Sequence, residues 1–227
     1  VGEHRLLSKG IRPDAITFAD TGSEKPQTYD YLATINKFLV ANNMPEVTVV
    51  RRKPTVSRVT QNQYRTLEEN ILEHKMLPSL AYGWRKCSQK WKHDCQDAAI
   101  RKWAPAVDSL DAGFKPARAI GYDAGPIDMR RKAIAEDDEF TYVYPLREWN
   151  WDRERAKKEI AAAGLPVPMK SACYFCPSTK PAEIREMAKT NPDLLRRIIK
   201  IESNAEPNLQ RLSGLWRQPI IGGFANI

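Results

Sequence analysis

Cys173-Tyr174-Phe175-Cys176 places two thiols two residues apart, and Cys87 adds a third far upstream. With only four cysteines in 227 residues, such a pair in a turn reads as a metal-binding knuckle sooner than as part of a disulfide framework. The chemistry it suggests belongs to an iron–sulfur cluster or a zinc ion, held by thiolates from two separate segments. Ser171-Ala172 before the pair and Pro177-Ser178-Thr179 after it are turn residues, and a turn leaves amides outside any helical ladder. The competing readings are a redox or structural pair, or two small buried apolar residues.

The fourth cysteine is weighed by distance. Residues 86–103 read as a helix, because Trp91, Cys95, Ala98, Ala99 and Trp103 recur on one face. On a helix running from Cys87, Cys95 lies about 12 Å further along the axis, at about 1.5 Å per residue. One cluster does not span that, so Cys95 reads as a core residue and His93 as exposed. Cys87, Cys173 and Cys176 are left as three ligands, and three thiolates leave one coordination position open to a substrate sulfur.

The elements that would position these groups alternate in type. An apolar run at 15–19 predicts a strand that ends in Asp20-Thr21-Gly22-Ser23-Glu24, with a helix over 26–39 beyond it. Strand ends of this kind carry ligands in α/β proteins, which makes Asp20 and Thr21 candidate contacts; equally, Asp20 or Ser23 caps the helix that follows. A second strand is predicted over 47–51 and a third over 118–122. The third ends in Asp123-Ala124-Gly125-Pro126, with Arg130, Arg131 and Lys132 just after. Guanidinium groups there suit a phosphate or pyrophosphate, or form a solvated face. The loop over 51–66 carries Arg52, Lys53, Arg58 and Arg65 and reads as a mobile flap or a disordered excursion. Strands alternating with helices predict a Rossmann-like, doubly wound, mainly parallel sheet over residues 1–165, with a small cysteine-bearing helical subdomain over 166–227.

At 42% hydrophobic and 28% charged residues, the chain can bury one sizeable core. It has no apolar run of membrane-spanning length and no signal-peptide pattern, so a cytoplasmic protein is expected. The net charge of +8 and a pI near 9.3 are compatible with a polyanion such as DNA, tRNA or a nucleotide. The chain opens on Val1, and residues 2–10 read like the tail of a helix stopped by Gly10, so an upstream segment is expected.

Taken in order, five motifs carry a resemblance. Phe18-Ala19-Asp20-Thr21-Gly22 with Pro26 and Thr28, Lys86-Cys87-Ser88-Gln89-Lys90-Trp91-Lys92, Ile120-Gly121-Tyr122-Asp123, Tyr144-Pro145-Leu146-Arg147-Glu148-Trp149, and Ser171-Ala172-Cys173-Tyr174-Phe175-Cys176 resemble the phosphoadenosine phosphosulfate (PAPS) reductase family of the adenine nucleotide alpha hydrolase superfamily. The likeness is greatest to phage and bacterial PAPS-reductase-like proteins and extends to sulfurtransferases of DNA phosphorothioation and tRNA thiolation. It implies ATP or a related adenine nucleotide, with Asp20, Thr21 and Gly22 lining its pocket and Gly121, Tyr122 and Asp123 beside its phosphates, near Arg130 and Arg131. It also implies a [4Fe-4S] cluster on Cys87, Cys173 and Cys176, with zinc as the alternative.

The family's first strand and Ser-Gly-Gly loop are not found in this sequence, and neither is the late Glu-Cys-Gly-x-His segment of the sulfite-releasing reductases. The expected activity is therefore ATP-dependent sulfur transfer onto a nucleic acid or nucleotide, from sulfide or a sulfur donor protein. A sulfonucleotide reductase or hydrolase is the second expectation. A zinc-stabilised, non-catalytic nucleic-acid-binding module is the third.

Overall fold

In the computed structural model, described over residues 12–78, 86–209 and 214–215, the apolar run near the start forms β1 (Ile16–Asp20), and α1 (Pro26–Ala41) and β2 (Val47–Arg51) follow. The predicted strand and helix positions hold to within two residues. The basic stretch that follows is not an irregular excursion: it folds into a short antiparallel hairpin of β3 (Thr55–Val56) and β4 (Gln63–Tyr64), with Thr55 opposite Tyr64. Next comes α2 (Leu67–Glu73), started by a capping box in which Thr66 and Glu69 satisfy each other's backbone amides.

The predicted helix over 86–103 is helical but not uniform. It runs as α3 (Lys86–Ser88), a π-helical stretch (Gln89–His93) and α4 (Asp94–Ile100), and Trp103 lies beyond its end, capping α5 (Ala104–Asp111). The third strand is shorter than predicted: β5 (Ala117–Ala119) pairs in parallel with β6 (Thr141–Val143), Arg118 opposite Tyr142. Around them lie α6 (Pro126–Met129), α7 (Pro145–Glu148) and α8 (Arg153–Ala162), and the chain continues in α9 (Pro181–Thr190) and α10 (Pro192–Ala205). The class is mixed α/β. Among the described residues the strands form three two-stranded sheets, β1–β2, β3–β4 and β5–β6. The predicted helix tail over 2–10 lies outside the described residues.

The chain divides into two units, each assembled from separated segments. One comprises Val1–Ile16, Asp30–Thr48 and Asp97–Met169; the other comprises Thr17–Tyr29, Val49–Gln96 and Lys170–Ile227. In the first, Phe140 and Trp151 are buried, Arg118 lies over the Phe140 ring at 4.9 Å and pairs with Asp97 at 2.5 Å. The second holds the larger apolar cluster, in which Leu67, Ile71, Trp91, Tyr174, Phe175, Ile198 and Ile201 pack together. Helix α10 supplies Leu194, Ile198, Ile201 and Ala205 from one stripe, the spacing that lays a helix against a core. All four cysteines belong to this second unit.

Candidate thiol site

The knuckle is built from its two middle residues outward. Tyr174 and Phe175 are fully buried, their rings edge to face with centroids 4.7 Å apart, so the aromatic pair anchors the turn in the core. Backbone bonds close it: the Cys176 amide donates to the Cys173 carbonyl (2.9 Å) and the Thr179 amide to the Cys176 carbonyl (3.0 Å). The turn is then tied to the loop after β1. Glu24 and Cys173 form an antiparallel bridge, the Tyr174 amide donates to the Ser23 carbonyl (3.1 Å), and the Lys25 amide donates to the Ala172 carbonyl (3.3 Å).

That loop buries Asp20, Thr21, Ser23 and Glu24, and most of their polar atoms are partnered. Asp20 Oδ1 accepts from the Gly22 amide (2.7 Å) and the Tyr29 hydroxyl (2.8 Å), while Oδ2 pairs with Arg51 (2.7 Å). Burial acts to raise the Asp20 pKa, but these donors outweigh it and hold the carboxyl below its usual range. Gly22 sits at φ +69°, and a Cβ there would lie 2.5 Å from Thr66 Cγ2, so the position needs glycine for both conformation and space. Ser23 Oγ accepts from the Glu68 amide. Of the expected nucleotide contacts, then, Asp20 and Gly22 act as loop architecture in this structure.

Thr21 does something else. Its Oγ1 lies 3.2 Å from Cys173 Sγ and 3.2 Å from Glu24 Oε1. Glu24 is buried, 3.7 Å from the same sulfur, and is paired with Lys92 Nζ at 2.8 Å, while its second oxygen, Oε2, has no hydrogen-bond partner. Burial, reinforced by Glu24, pushes the Cys173 thiol up to about 12. For Lys92, burial acts against the charge, but Glu24 and then the two knuckle thiols hold its pKa above the ordinary value. One ammonium thus faces one carboxylate and two thiols. Neither Glu24 nor Lys92 was foreseeable as part of the site, since charged side chains in a chain this polar read as solvated.

Cys87 lies in α3 and packs, like Cys173, against the apolar cluster of the second unit. It also borders a cavity of about 660 Å³. Cys95 is half-buried, and its thiol donates to the Lys90 carbonyl at 3.7 Å inside the π-helical stretch. Among the described residues, no three His, Cys, Asp or Glu side chains are gathered as a metal ion requires. The knuckle presents two donors, and Cys87 stands elsewhere on the same core.

No protein-family model, curated protein or solved structure matches this chain.

The remaining nucleotide candidates belong to the first unit, whereas Asp20, Thr21 and Gly22 belong to the second. Gly121 is exposed with open space where a side chain would be. Tyr122 stacks on Tyr144 with centroids 5.8 Å apart, and Arg131 and Arg147 each lie 5.1 Å from its ring. Asp123 Oδ1 accepts from the Gly125 amide at 2.7 Å and so shapes its own turn. Arg131 pairs with Asp128 at 2.7 Å. Arg130 is exposed.

Proposed function

We propose that this chain is an enzyme similar to the PAPS reductase family, carrying out adenine nucleotide-dependent sulfur transfer onto a nucleic acid or nucleotide in the cytoplasm. One observation supports this reading above the others: Thr21 and Cys173, 152 residues apart in the chain, lie 3.2 Å from each other. The segment that the resemblance assigns to the nucleotide and the segment it assigns to the thiols share one hydrogen-bonded unit. In this reading the parallel pair β5–β6 belongs to a Rossmann-like, doubly wound sheet, with Tyr122, Asp123 and Arg130 as nucleotide contacts beyond it.

ATP would activate an oxygen of the acceptor as its adenylate, releasing pyrophosphate, and a sulfur nucleophile would then displace AMP. The chain's own residues serve the sulfur step through charge. Thr21 donates to Glu24 Oε1 while its Oγ1 lies 3.2 Å from Cys173 Sγ, and Lys92 offsets the negative charge of Glu24 beside that sulfur. A [4Fe-4S] cluster, or zinc, would be held by Cys87, Cys173 and Cys176, and when bound it would present an open position to sulfur. The fit is partial: the knuckle pair and the unpartnered Glu24 oxygen suit a cation, but the third thiol is not gathered with them, so no step is routed through the metal.

Anaerobic purification with iron, acid-labile sulfide and zinc analysis tests the reading. About four irons per chain are expected for a cubane cluster, lost in Cys87→Ala, Cys173→Ala and Cys176→Ala and retained in Cys95→Ala. Zinc without sulfide would favour the non-catalytic nucleic-acid-binding module. Equal loss in Cys95→Ala would replace three ligands by four.

A further inference from the structure

The cavity bordered by Cys87 lies wholly within the second unit. At about 660 Å³ it falls within the usual range for small-molecule sites. Its wall is apolar, with Leu67, Ile71 and Leu77 beside three aromatic rings: Tyr64 meets His74 edge to face at 5.5 Å and tilts against Trp91 at 6.3 Å. Its charge is of one sign. Arg52, Lys86 and Lys90 line it, and no described acidic residue does.

Two further details set this cavity apart from a packing defect. First, the wall that carries Lys90 and Trp91 is the π-helical stretch Gln89–His93, and such segments are rare and concentrate at functional sites. Within that stretch the Lys90 carbonyl accepts from the Cys95 thiol and, at 3.2 Å, from Arg52 Nη1. Second, this bond places the Arg52 guanidinium 5.5 Å from the Trp91 ring centroid, where its Nε is buried with no hydrogen-bond partner. A buried guanidinium N–H without an acceptor costs free energy that a ligand oxygen would recover.

We infer that this cavity binds a nucleobase bearing a 5′-phosphate, with the ring against Tyr64, His74 and Trp91 and the phosphate on Arg52, Lys86 and Lys90. Aromatic faces stack bases of any sequence, while cationic side chains select the phosphate. The inference deepens the sulfur-transfer reading and rests on it for one point only: a base lodged here lies beside Cys87, as an acceptor of sulfur would. The binding itself needs neither metal nor activity.

Calorimetric titration of the purified protein with a nucleoside 5′-monophosphate, its nucleoside and inorganic phosphate tests the site. The monophosphate should bind most tightly. Arg52→Gln should weaken it about tenfold, as expected for one charge-assisted contact, and leave the nucleoside unchanged; Tyr64→Leu should weaken both. Trp91→Ala removes a core residue, so its folding is checked first, and Tyr64→Leu carries the aromatic arm if it fails. A short single-stranded oligonucleotide that displaces the monophosphate would assign the site to an extruded nucleotide of the acceptor, and one that does not would assign it to a free nucleotide; either outcome upholds the site. Monophosphate affinity unaltered by both Arg52→Gln and Tyr64→Leu, or matched by inorganic phosphate, would overturn it. A chain lacking iron and sulfur transfer but binding the monophosphate would sink the enzyme reading and leave the cavity assignment standing.

Discussion

Lys92 and Glu24 are the residues on which the thiol site leans hardest. Glu24 is buried while the Lys92 side chain keeps 34% of its surface exposed, and removing the partner of a buried charge strands it, at about 3–5 kcal/mol when both are fully buried and less here. Lys92→Met should therefore lower the unfolding free energy in urea by less than about 3 kcal/mol, and a second change, Glu24→Gln, should restore most of it. If the double variant is no more stable than the single, the pair is not coupled. Gly22→Ala should also destabilise, by about 1–3 kcal/mol, because it forces both a left-handed backbone and a contact with Thr66. Glu202 tests burial from the other side. It is buried, with Oε2 unpartnered and Oε1 accepting from the Leu215 amide, and burial raises its pKa despite that bond. A raised carboxyl pKa means that the folded state holds the proton more tightly than the unfolded one. The contribution to stability is thus complete below the ordinary value near 4.5 and is lost as pH rises through the folded value. Glu202→Gln should flatten that slope, raising the melting temperature at pH 7.5 and leaving it little changed near pH 4. The sequence made Asp20 and Thr21 conspicuous, but it did not say that Asp20 would staple its own loop while Thr21 turned toward a sulfur. That division depends on a partner segment remote in the chain, which local pattern does not reveal.

At the scale of elements, β1, α1 and β2 were legible because β-branched runs and helical periodicity are local signals. The hairpin at Thr55–Tyr64 was not, since its strands are two residues each and its charges mask any alternation. The helix beginning at Lys86 was visible but its π-helical turn was not, because a one-residue shift in hydrogen bonding leaves composition unchanged. Helix α10 offers the sharpest test of an element's packing. Ile198 is fully buried in the apolar cluster, and a buried isoleucine cut to alanine loses about 2–5 kcal/mol. Ile198→Ala should show this in thermal and chemical denaturation, whereas Lys200→Ala, on the exposed side, should stay within about 0.5 kcal/mol of the parent. Equal effects would mean that α10 does not bury the face assigned to it.

For the molecule as a whole, the mixed α/β class could be read from alternating strand and helix signals. The assembly of two units from interleaved segments could not, since a division at one point in the chain is all that composition suggests. The positive charge remains the broadest clue to partners. No described helix is long and apolar enough to cross a membrane. Lys53 and Arg58 are exposed on either side of β3, and binding to single-stranded DNA or tRNA should weaken steeply with salt, as released counterions require. Lys53→Gln and Arg58→Gln should each reduce that salt slope by about one and lower affinity equally for all sequences. Salt-independent binding, or none at low ionic strength, would remove nucleic acid from the list of acceptors.

The bridge between Glu24 and Cys173 also fixes an order of events in folding. It joins positions 149 residues apart, and contacts of such long range close after local helices and hairpins have formed. Until then the thiols of Cys173 and Cys176 meet solvent without the buried environment that keeps Cys173 protonated. Exposed thiols in a partly folded chain are open to oxidation and mispairing. Refolding from denaturant should accordingly recover more native protein with reductant than without. That dependence should shrink in a Cys173→Ala, Cys176→Ala chain; if it persists undiminished, the vulnerable step lies elsewhere.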